Sequence, residues 1–567
     1  MPADDLVLGI SDDYVSNVAL FQGGRPLFAA ANERFTRKKG DAGFPAEALG
    51  QALDHGGVRL SDVDRLVIAN RTHFVYRVMR AQFKDYKHDF FNIQQKLYCK
   101  YHDLVEALPA FGSVVGVLNR ALLTAKTRTR VLLCDHHTAH AAGAVYSSGF
   151  DRCLAVTVDN LGDGFSAKVH TWQDGRLEYL WGSRASDSPG QFYGEITQLL
   201  GFNPLRHAGK VTGLSARGDP EPAMPIMKEL FFLSPDRRRF GMMPSWQRWK
   251  DRGPYFRLGL FSPEDIAAAA QKRLEDVISG FVAHALEVTG HNRIALAGGC
   301  AANVKMNLVL KQLPGVEALH VHPAMSDEGL GFGAAAWFLL QKGIAPRTLD
   351  TVFLGPGFSE AEVEAALAKG GVPSMRPRDM ADTVAGLLEA GHVVARCDGR
   401  LEYGPRALGN RSILYRPDDP SVSDWLNEKL RRTEFMPFAP VTLWEDAEAC
   451  YDATAGARET ARFMTMAFPC TSGFARLCPG VVHVDGTARP QLVRREECPE
   501  YYDIVAAYKR RTGLPSLINT SFNMHEEPIV NGPSDAVNAF LAADLDYLAI
   551  GRRLAWNPAR PALGERF

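Results

Sequence analysis

Asp135-His136-His137-Thr138-Ala139-His140 places two imidazoles four residues apart. On a helix that spacing sets His136 and His140 on one face, one turn apart, where they can share a metal ion. An isolated histidine pair of this kind more often reflects helix packing than ligation. Two carboxylates favour the metal reading. Asp159 ends an apolar strand, Leu154–Val158, and Asp327 opens a glycine-rich helix start in Ser326-Asp327-Glu328-Gly329. Two imidazoles with one or two carboxylates and open positions suit iron, manganese or zinc.

Three further segments have the composition of ligand sites. Leu296–Asn307 (LAGGCAANVKMN) reads as a strand running through Gly298-Gly299 into a helix. Such a turn brings backbone close to a ligand and points a helix N-terminus at negative charge, although a tight strand–helix turn would look the same. Gly399–Ser412 sets Arg400, Arg406 and Arg411 around a Gly-Pro turn, and Arg431 and Arg489 follow. Guanidinium groups bind phosphate by paired, charge-assisted hydrogen bonds; surface ion pairing is the alternative. Leu517–Asn523 (LINTSFN) ends an apolar strand in Asn519, Thr520, Ser521 and Asn523, suited to a small polar group such as an amide or to turn capping.

These residues need elements to position them, and the chain repeats one pattern. Leu6–Ser11, an acidic turn at Asp12-Asp13, Val15–Gln22, Gly23-Gly24 and Pro26–Asn32 form the first copy. Leu154–Val158, Asp159, Phe165–Gln173, Asp174-Gly175-Arg176 and Leu177–Trp181 form the second. Each reads as strand, acidic turn, strand, hairpin, strand, with turn residues that accept positive φ. The repeat suggests two similar α/β lobes able to clamp a nucleotide; two unrelated hairpins are the plainer reading. Residues 263–290 predict a long helix. The pattern breaks at 343–352. The domains expected are therefore 1–345 and 353–567, each large enough to bury a core.

At 567 residues the chain is too long for a single core, and 46 % hydrophobic with 23 % charged residues is ordinary for a globular protein. A net charge of −1 gives no global attraction to nucleic acid or an anionic membrane. The nine scattered cysteines form no C-x-x-C pair, which argues for free thiols in a reducing compartment. No signal peptide or membrane span is read, so a cytoplasmic protein is expected. A homodimer is entertained without a residue-level signal. Residues 71–130 stand apart, with eleven Lys or Arg against four Asp or Glu and interleaved aromatics. A helical insertion with a solvated basic face is the bland reading; a surface for an anionic or amphiphilic acceptor is the sharper one, and nucleic-acid stacking a third.

Taken together, the chain resembles the carbamoyltransferase family that includes the nodulation and antibiotic-tailoring O-carbamoyltransferases. The matching segments are Asn32–Lys39, His136–Ala141, Gly209–Leu214, Ala297–Asn307, Gly399–Leu414, Pro437–Pro440 and Asn519–Pro528, in the family's order. The resemblance implies an actin-like, duplicated-lobe first half, similar to the universal tRNA threonylcarbamoyl transferase. It implies an α/β second half similar to the enzyme that makes threonylcarbamoyl-adenylate. Carbamoyl phosphate and ATP would give carbamoyl-adenylate in the second half, with phosphate and pyrophosphate released. Arg406, Arg431 and Arg489 would hold phosphates there, and Asn519, Ser521 and Asn523 would orient the carbamoyl group. In the first half, the hydroxyl of a natural product or sugar would attack. His136, His140, Asp159 and Asp327 would hold a divalent metal, with iron the first choice and manganese, magnesium or zinc as alternatives. Lys210, Gly213, Gly298, Gly299 and Asn303 would contact the nucleotide, and His137 would be the general base. The acceptor is sought at the 71–130 insertion and at a 184–208 loop, around Phe192 and Tyr193. Met436 stands where many members have arginine, and Arg431 where many have lysine. Rival readings are a tRNA threonylcarbamoyl transferase-like enzyme, a metallopeptidase, which would lack the H-E-x-x-H glutamate, and a non-catalytic actin-like nucleotide-binding regulator.

Overall fold

The computed structural model describes residues 5–12, 14–70, 130–250, 252–430 and 438–559. Arg431, Met436 and the basic stretch 71–130, apart from Arg130, lie outside the described residues. The fold is mixed α/β, and the chain divides into two compact units. One comprises residues 1–32 and 42–349, the other 33–41 and 350–567.

The first unit contains the same sheet twice. Strands β1 (Leu6–Ser11), β2 (Asn17–Gln22), β3 (Arg25–Ala31), β4 (Arg65–Ala69) and β5 (Arg130–Cys134) form one sheet in the order β3-β2-β1-β4-β5. After β6 (Cys153–Gly162), β7 (Phe165–Gln173) and β8 (Arg176–Arg184) comes a small hairpin, β9 (Phe231–Leu233) and β10 (Phe240–Met242). With β11 (Arg293–Ala297) and β12 (Ala318–Val321), the second sheet runs β12-β11-β6-β7-β8. In each, the hairpin strands pair antiparallel and the last two strands add parallel to the first. The repeated hairpin is therefore one half of a duplicated lobe, as the actin-like resemblance implied.

The central strand of the first sheet is covered on both faces. All six residues of β1 are buried, as the unbroken run LVLGIS requires. The helix Leu330–Gln341 (LGFGAAAWFLLQ) is apolar almost all round, and it packs on β1, β2, β4 and the helix His136–Ser148. The predicted long helix spans Pro263–Thr289, capped by the Ser262 hydroxyl and closed by Gly290 with φ 66°.

The second unit is built on an eight-stranded mixed sheet. Its order is Ser374–Met375, Arg553–Trp556, Tyr547–Ile550, Val394–Cys397, Arg411–Tyr415, Ser516–Ser521, Ala439–Leu443 and Gln491–Val493. Residues 33–41, read from sequence as part of the first domain, pack with this unit. The reason lies in two arginines. Arg34 donates to the Gly404 carbonyl at 2.9 Å. Arg37 donates to Ile529 and Pro528 carbonyls at 2.6 and 2.8 Å and pairs with Asp535 at 3.4 Å.

Candidate active site

His136 and His140 lie in the first two turns of the helix His136–Ser148, which follows β5 after a single residue. That residue, Asp135, is the N-cap. Its Oδ1 accepts from the Thr138 backbone N–H and hydroxyl, both at 2.9 Å. Lys168 on β7 donates to both carboxylate oxygens at 2.9 Å, with its ammonium 4.2 Å from the Phe165 ring centroid. Burial opposes the Asp135 charge, but Lys168 outweighs it and holds the carboxyl well below the usual range. Asp163, in the β6–β7 turn, accepts the His136 backbone N–H at 2.8 Å. Two carboxylates thus anchor the positive end of the helix that carries the histidines.

The four expected metal ligands come together, with one ligand atom from each within 4.8 Å of the others. His140 Nε2 lies 3.0 Å from Asp159 Oδ2 and 3.6 Å from Asp327 Oδ1. His136 Nε2 lies 3.5 and 3.8 Å from the same oxygens. Asp159 Oδ1 is tied to the Asn160 N–H at 2.6 Å, which leaves Oδ2 facing the imidazoles. Asp327 is set by Asn17, whose amide donates to the Asp327 carbonyl at 2.7 Å and accepts from Gly331 N–H at 2.8 Å.

Whether these residues fit a cation is tested by His140. Its Nε2 is buried and makes no hydrogen bond, despite the 3.0 Å approach to Asp159. A short contact without hydrogen-bond alignment is what two lone pairs directed at a shared centre produce. Burial disfavours an imidazolium here, yet the facing carboxylates outweigh it and raise the His140 pKa above its ordinary value. Burial likewise opposes the Asp159 charge, and the two histidines more than compensate, so its pKa is lowered well below the usual one. The set wants positive charge, and two nitrogens with two carboxylate oxygens fit a divalent first-row metal.

The site leaves no room for larger side chains. A Cβ at Gly162 would lie 2.1 Å from the His136 ring. Gly298 has φ 97°, and a Cβ there would lie 2.3 Å from the Val158 carbonyl. The Gly298-Gly299 turn accordingly sits against the end of β6, beside Asp159.

His137 is a correction to the sequence reading. It points away from the cluster, with Nε2 donating to the Phe165 carbonyl at 3.0 Å and Nδ1 accepting from the Thr157 hydroxyl at 2.8 Å. It is fully buried, and burial lowers its pKa well below the ordinary value. With both nitrogens engaged inside the protein, it is not placed to take a proton from a substrate. Phe192 and Tyr193 are a second correction. They lie on the helix Pro189–Leu199 and are buried, with the Tyr193 hydroxyl donating to Gln271 at 2.7 Å, so they offer no surface to an acceptor.

The expected nucleotide contacts are mixed. Lys210 and Gly213 share the helix Ala208–Leu214; Lys210 is buried, with its ammonium 5.6 Å from the Phe202 ring centroid. Asn303 caps the helix Val304–Lys311 and exchanges hydrogen bonds with Gln271 at 2.8 and 3.1 Å. Its carboxamide oxygen and one of its N–H groups are therefore engaged within the protein.

The second unit gathers its own polar residues. Of the three motif arginines, Arg400 donates to the carbonyls of Gly355 and Leu354 at 2.8 and 2.7 Å, and Arg411 to those of Asn531, Asp398 and Asn410 at 2.6–2.8 Å. Both hold backbone carbonyls, which is neither of the alternatives, phosphate binding or surface ion pairing, that the motif left open. Arg406 is half-buried on the loop between them. Glu402, which sequence reading passed over, fixes that loop: its Oε1 accepts the N–H groups of Leu408, Asn410 and Arg411 at 2.9–3.1 Å. Asn519 Nδ2 donates to the Ala407 carbonyl, beside Arg406, at 3.1 Å and to Gln491, two residues after Arg489, at 2.7 Å. Its Oδ1 is buried without a hydrogen-bond partner. Asn523 donates to the carbonyls of Met524 and Glu527, holding its own loop. Ser521 stands in register with Ser412 across the sheet.

Residues 6–336 match the family model described as carbamoyltransferase N-terminus, and residues 385–556 the one described as carbamoyltransferase C-terminus. The chain belongs to the carbamoyltransferase family and is a transferase of that class. Among its relatives, nodulation protein NolNO of Sinorhizobium fredii is 32 % identical over 549 residues, covering 94 % of this chain and 78 % of the relative. Nodulation protein NolO of Bradyrhizobium diazoefficiens is 33 % identical over 431 residues, covering 74 % and 78 %. An uncharacterized Synechocystis protein, sll1178, is 30 % identical and covers 98 % of this chain and 97 % of its own. Among solved structures, the ROK hexokinase of Thermus thermophilus aligns at a TM-score of 0.30 and 18 % identity, over 59 % of this chain and 99 % of the other. Among the described residues, no helix is long and apolar enough to cross a membrane.

Proposed function

We propose that this enzyme is an ATP-dependent O-carbamoyltransferase. It uses carbamoyl phosphate and delivers the carbamoyl group to a hydroxyl of a small molecule, either a natural product or a sugar. The second unit carries out activation. Carbamoyl phosphate and water give carbamate and phosphate. A carbamate oxygen then attacks the α-phosphorus of ATP, the bond to the β-phosphate breaks, and pyrophosphate leaves carbamoyl-adenylate behind. Arg406 and Arg489 bind the phosphates by charge-assisted hydrogen bonds. Asn519 Oδ1, a buried acceptor without a partner, receives an N–H of the carbamoyl amide.

The first unit carries out transfer. The acceptor oxygen bonds to the carbamoyl carbon, the bond from that carbon to the AMP oxygen breaks, AMP departs with the bonding electron pair, and the hydroxyl proton passes to solvent. A carbamoyl group is a weak electrophile because its nitrogen donates into the carbonyl, and AMP as leaving group makes attack feasible. His136, His140, Asp159 and Asp327 would hold the divalent metal, which supplies Lewis-acid stabilisation of developing negative charge. Gly298-Gly299 lets the backbone come close to the nucleotide, with Lys210 as its cationic contact. Holding both reactants in place accounts for roughly 7–11 kcal/mol of barrier lowering in well-oriented systems.

The observation that carries this reading is the His140 nitrogen, buried, without a hydrogen bond and facing two carboxylates, in a chain of this family. Incubation with ATP and carbamoyl phosphate tests it. Pyrophosphate should appear in step with phosphate. Arg406→Ala should abolish pyrophosphate release, and His140→Ala should abolish transfer to added hydroxyl acceptors. If wild-type protein releases no pyrophosphate under any acceptor condition, the adenylation route is wrong.

A further inference from the structure

His136 Nε2, which faces the two carboxylates, can offer a lone pair to a metal only if the other ring nitrogen, Nδ1, carries the proton. A partner for Nδ1 exists: Asn70 Oδ1 lies 2.8 Å away, 66 residues earlier in the chain. Asn70 is the first residue past β4, and its N–H donates to the Cys134 carbonyl at 2.9 Å, extending the β4–β5 pairing. It is buried, and its backbone has φ 82°. Non-glycine residues seldom adopt that region, and asparagine and aspartate are among those that tolerate it best. Asp163, which accepts the His136 backbone N–H, also has positive φ, at 45°. Two residues in left-handed backbone thus grip one histidine, one at its ring and one at its main chain.

We propose that Asn70 is a positioning residue for the metal centre. Its carboxamide oxygen accepts the Nδ1–H of His136 and keeps the Nε2 lone pair directed at Asp159 and Asp327. The inference rests on the metal reading of the first unit. It assigns Asn70 a place behind a ligand, not among the ligands. A partner on the remote nitrogen fixes both tautomer and ring angle, and its loss ordinarily costs metal affinity. The left-handed backbone has a matching purpose. At φ 82° the chain leaves the extended conformation of β4, so Asn70 falls outside that strand's alternation of side chains.

Two variants separate side-chain chemistry from backbone strain. Asn70→Gly accepts φ 82° more easily than asparagine, so the fold is kept and only the acceptor is lost. Asn70→Asp keeps an acceptor and removes the side-chain donors. Affinity for Mn(II), Zn(II) and, without oxygen, Fe(II) is measured by competition with a chromogenic chelator. Thermal melts in excess EDTA check the metal-free fold. N70G should bind about 10- to 100-fold more weakly than wild type, and N70D should bind at least as tightly as wild type. The proposal is overturned if N70G binds as wild type does. It is also overturned if N70D is as weak as N70G, because asparagine would then be acting as a donor. A wild-type protein that takes up none of the three ions sinks the metal reading itself, and this inference with it.

Discussion

Replacing Asp135 by asparagine should open the first unit far more often while leaving its helix cap in place. The side-chain oxygen that accepts from Thr138 survives the change, so little of the roughly 1 kcal/mol attached to an N-cap is lost. The charge on which Lys168 relies is removed. Both side chains are nearly buried, at 10 % and 9 % exposure, and the ammonium has bonds to both carboxylate oxygens. Stranding one member of such a pair costs roughly 3–5 kcal/mol. That corresponds to about a 150- to 5,000-fold loss of hydrogen-exchange protection. The amides of β6 and β7 report opening of the first unit and are the place to measure it. The double variant D135N/K168M carries no stranded ammonium and should recover part of the loss. If D135N keeps protection within about tenfold of wild type, water reaches the pair and the reasoning about the cap is wrong.

His137→Gln should keep more than about a tenth of the transfer rate, since loss of a true general base costs about 100- to 10,000-fold; a hundredfold fall in a folded variant would reinstate His137. His170, buried on β7, has its pKa lowered to about 3 by burial and then by Lys168. Its unfolded form gains a proton near pH 6.5 and its folded form does not, so its contribution is complete above that value and falls away with decreasing pH. Between pH 7 and pH 5 the loss is about 2 kcal/mol, and His170→Phe should remove that share of the acid sensitivity in urea titrations at the two pH values. Glu402→Ala strands three backbone N–H groups on the Arg406 loop, at about 1–3 kcal/mol each. The second unit should melt at a lower temperature, and an unchanged midpoint would show that the loop is held by other means.

Much of the first unit was legible because its signals are local. The apolar runs of β1 and β6, followed by acidic turns and hairpins, mark the duplicated lobes within some 30 residues each. His136 and His140 declare their shared face by spacing alone. Asp159 and Asp327 were reached by noting where strands and glycine-rich turns end. What stayed hidden acts across the sequence. Asn70 and His136 are 66 residues apart, Lys168 and Asp135 are 33, and Asn17 reaches Asp327 across 310. A single asparagine or lysine in a strand has no periodicity to betray it. Arg400 and Arg411 could not be told from Arg406 by composition, because guanidinium groups suit carbonyls as well as phosphates. Phe192 and Tyr193 misled because their segment reads as a loop in the sequence, whereas it folds as the helix Pro189–Leu199 and buries both side chains.

The passage of residues 33–41 into the second unit bears on how this protein can be divided. A cut near residue 350 parts the sheets of the two units but not the units themselves. The carboxy-terminal fragment from such a cut would be missing both arginines that brace the 404 and 528–529 loops. Supplying residues 33–41 as a separate peptide would be the way to make that fragment whole, and a recombination event at the same point would inherit the same defect.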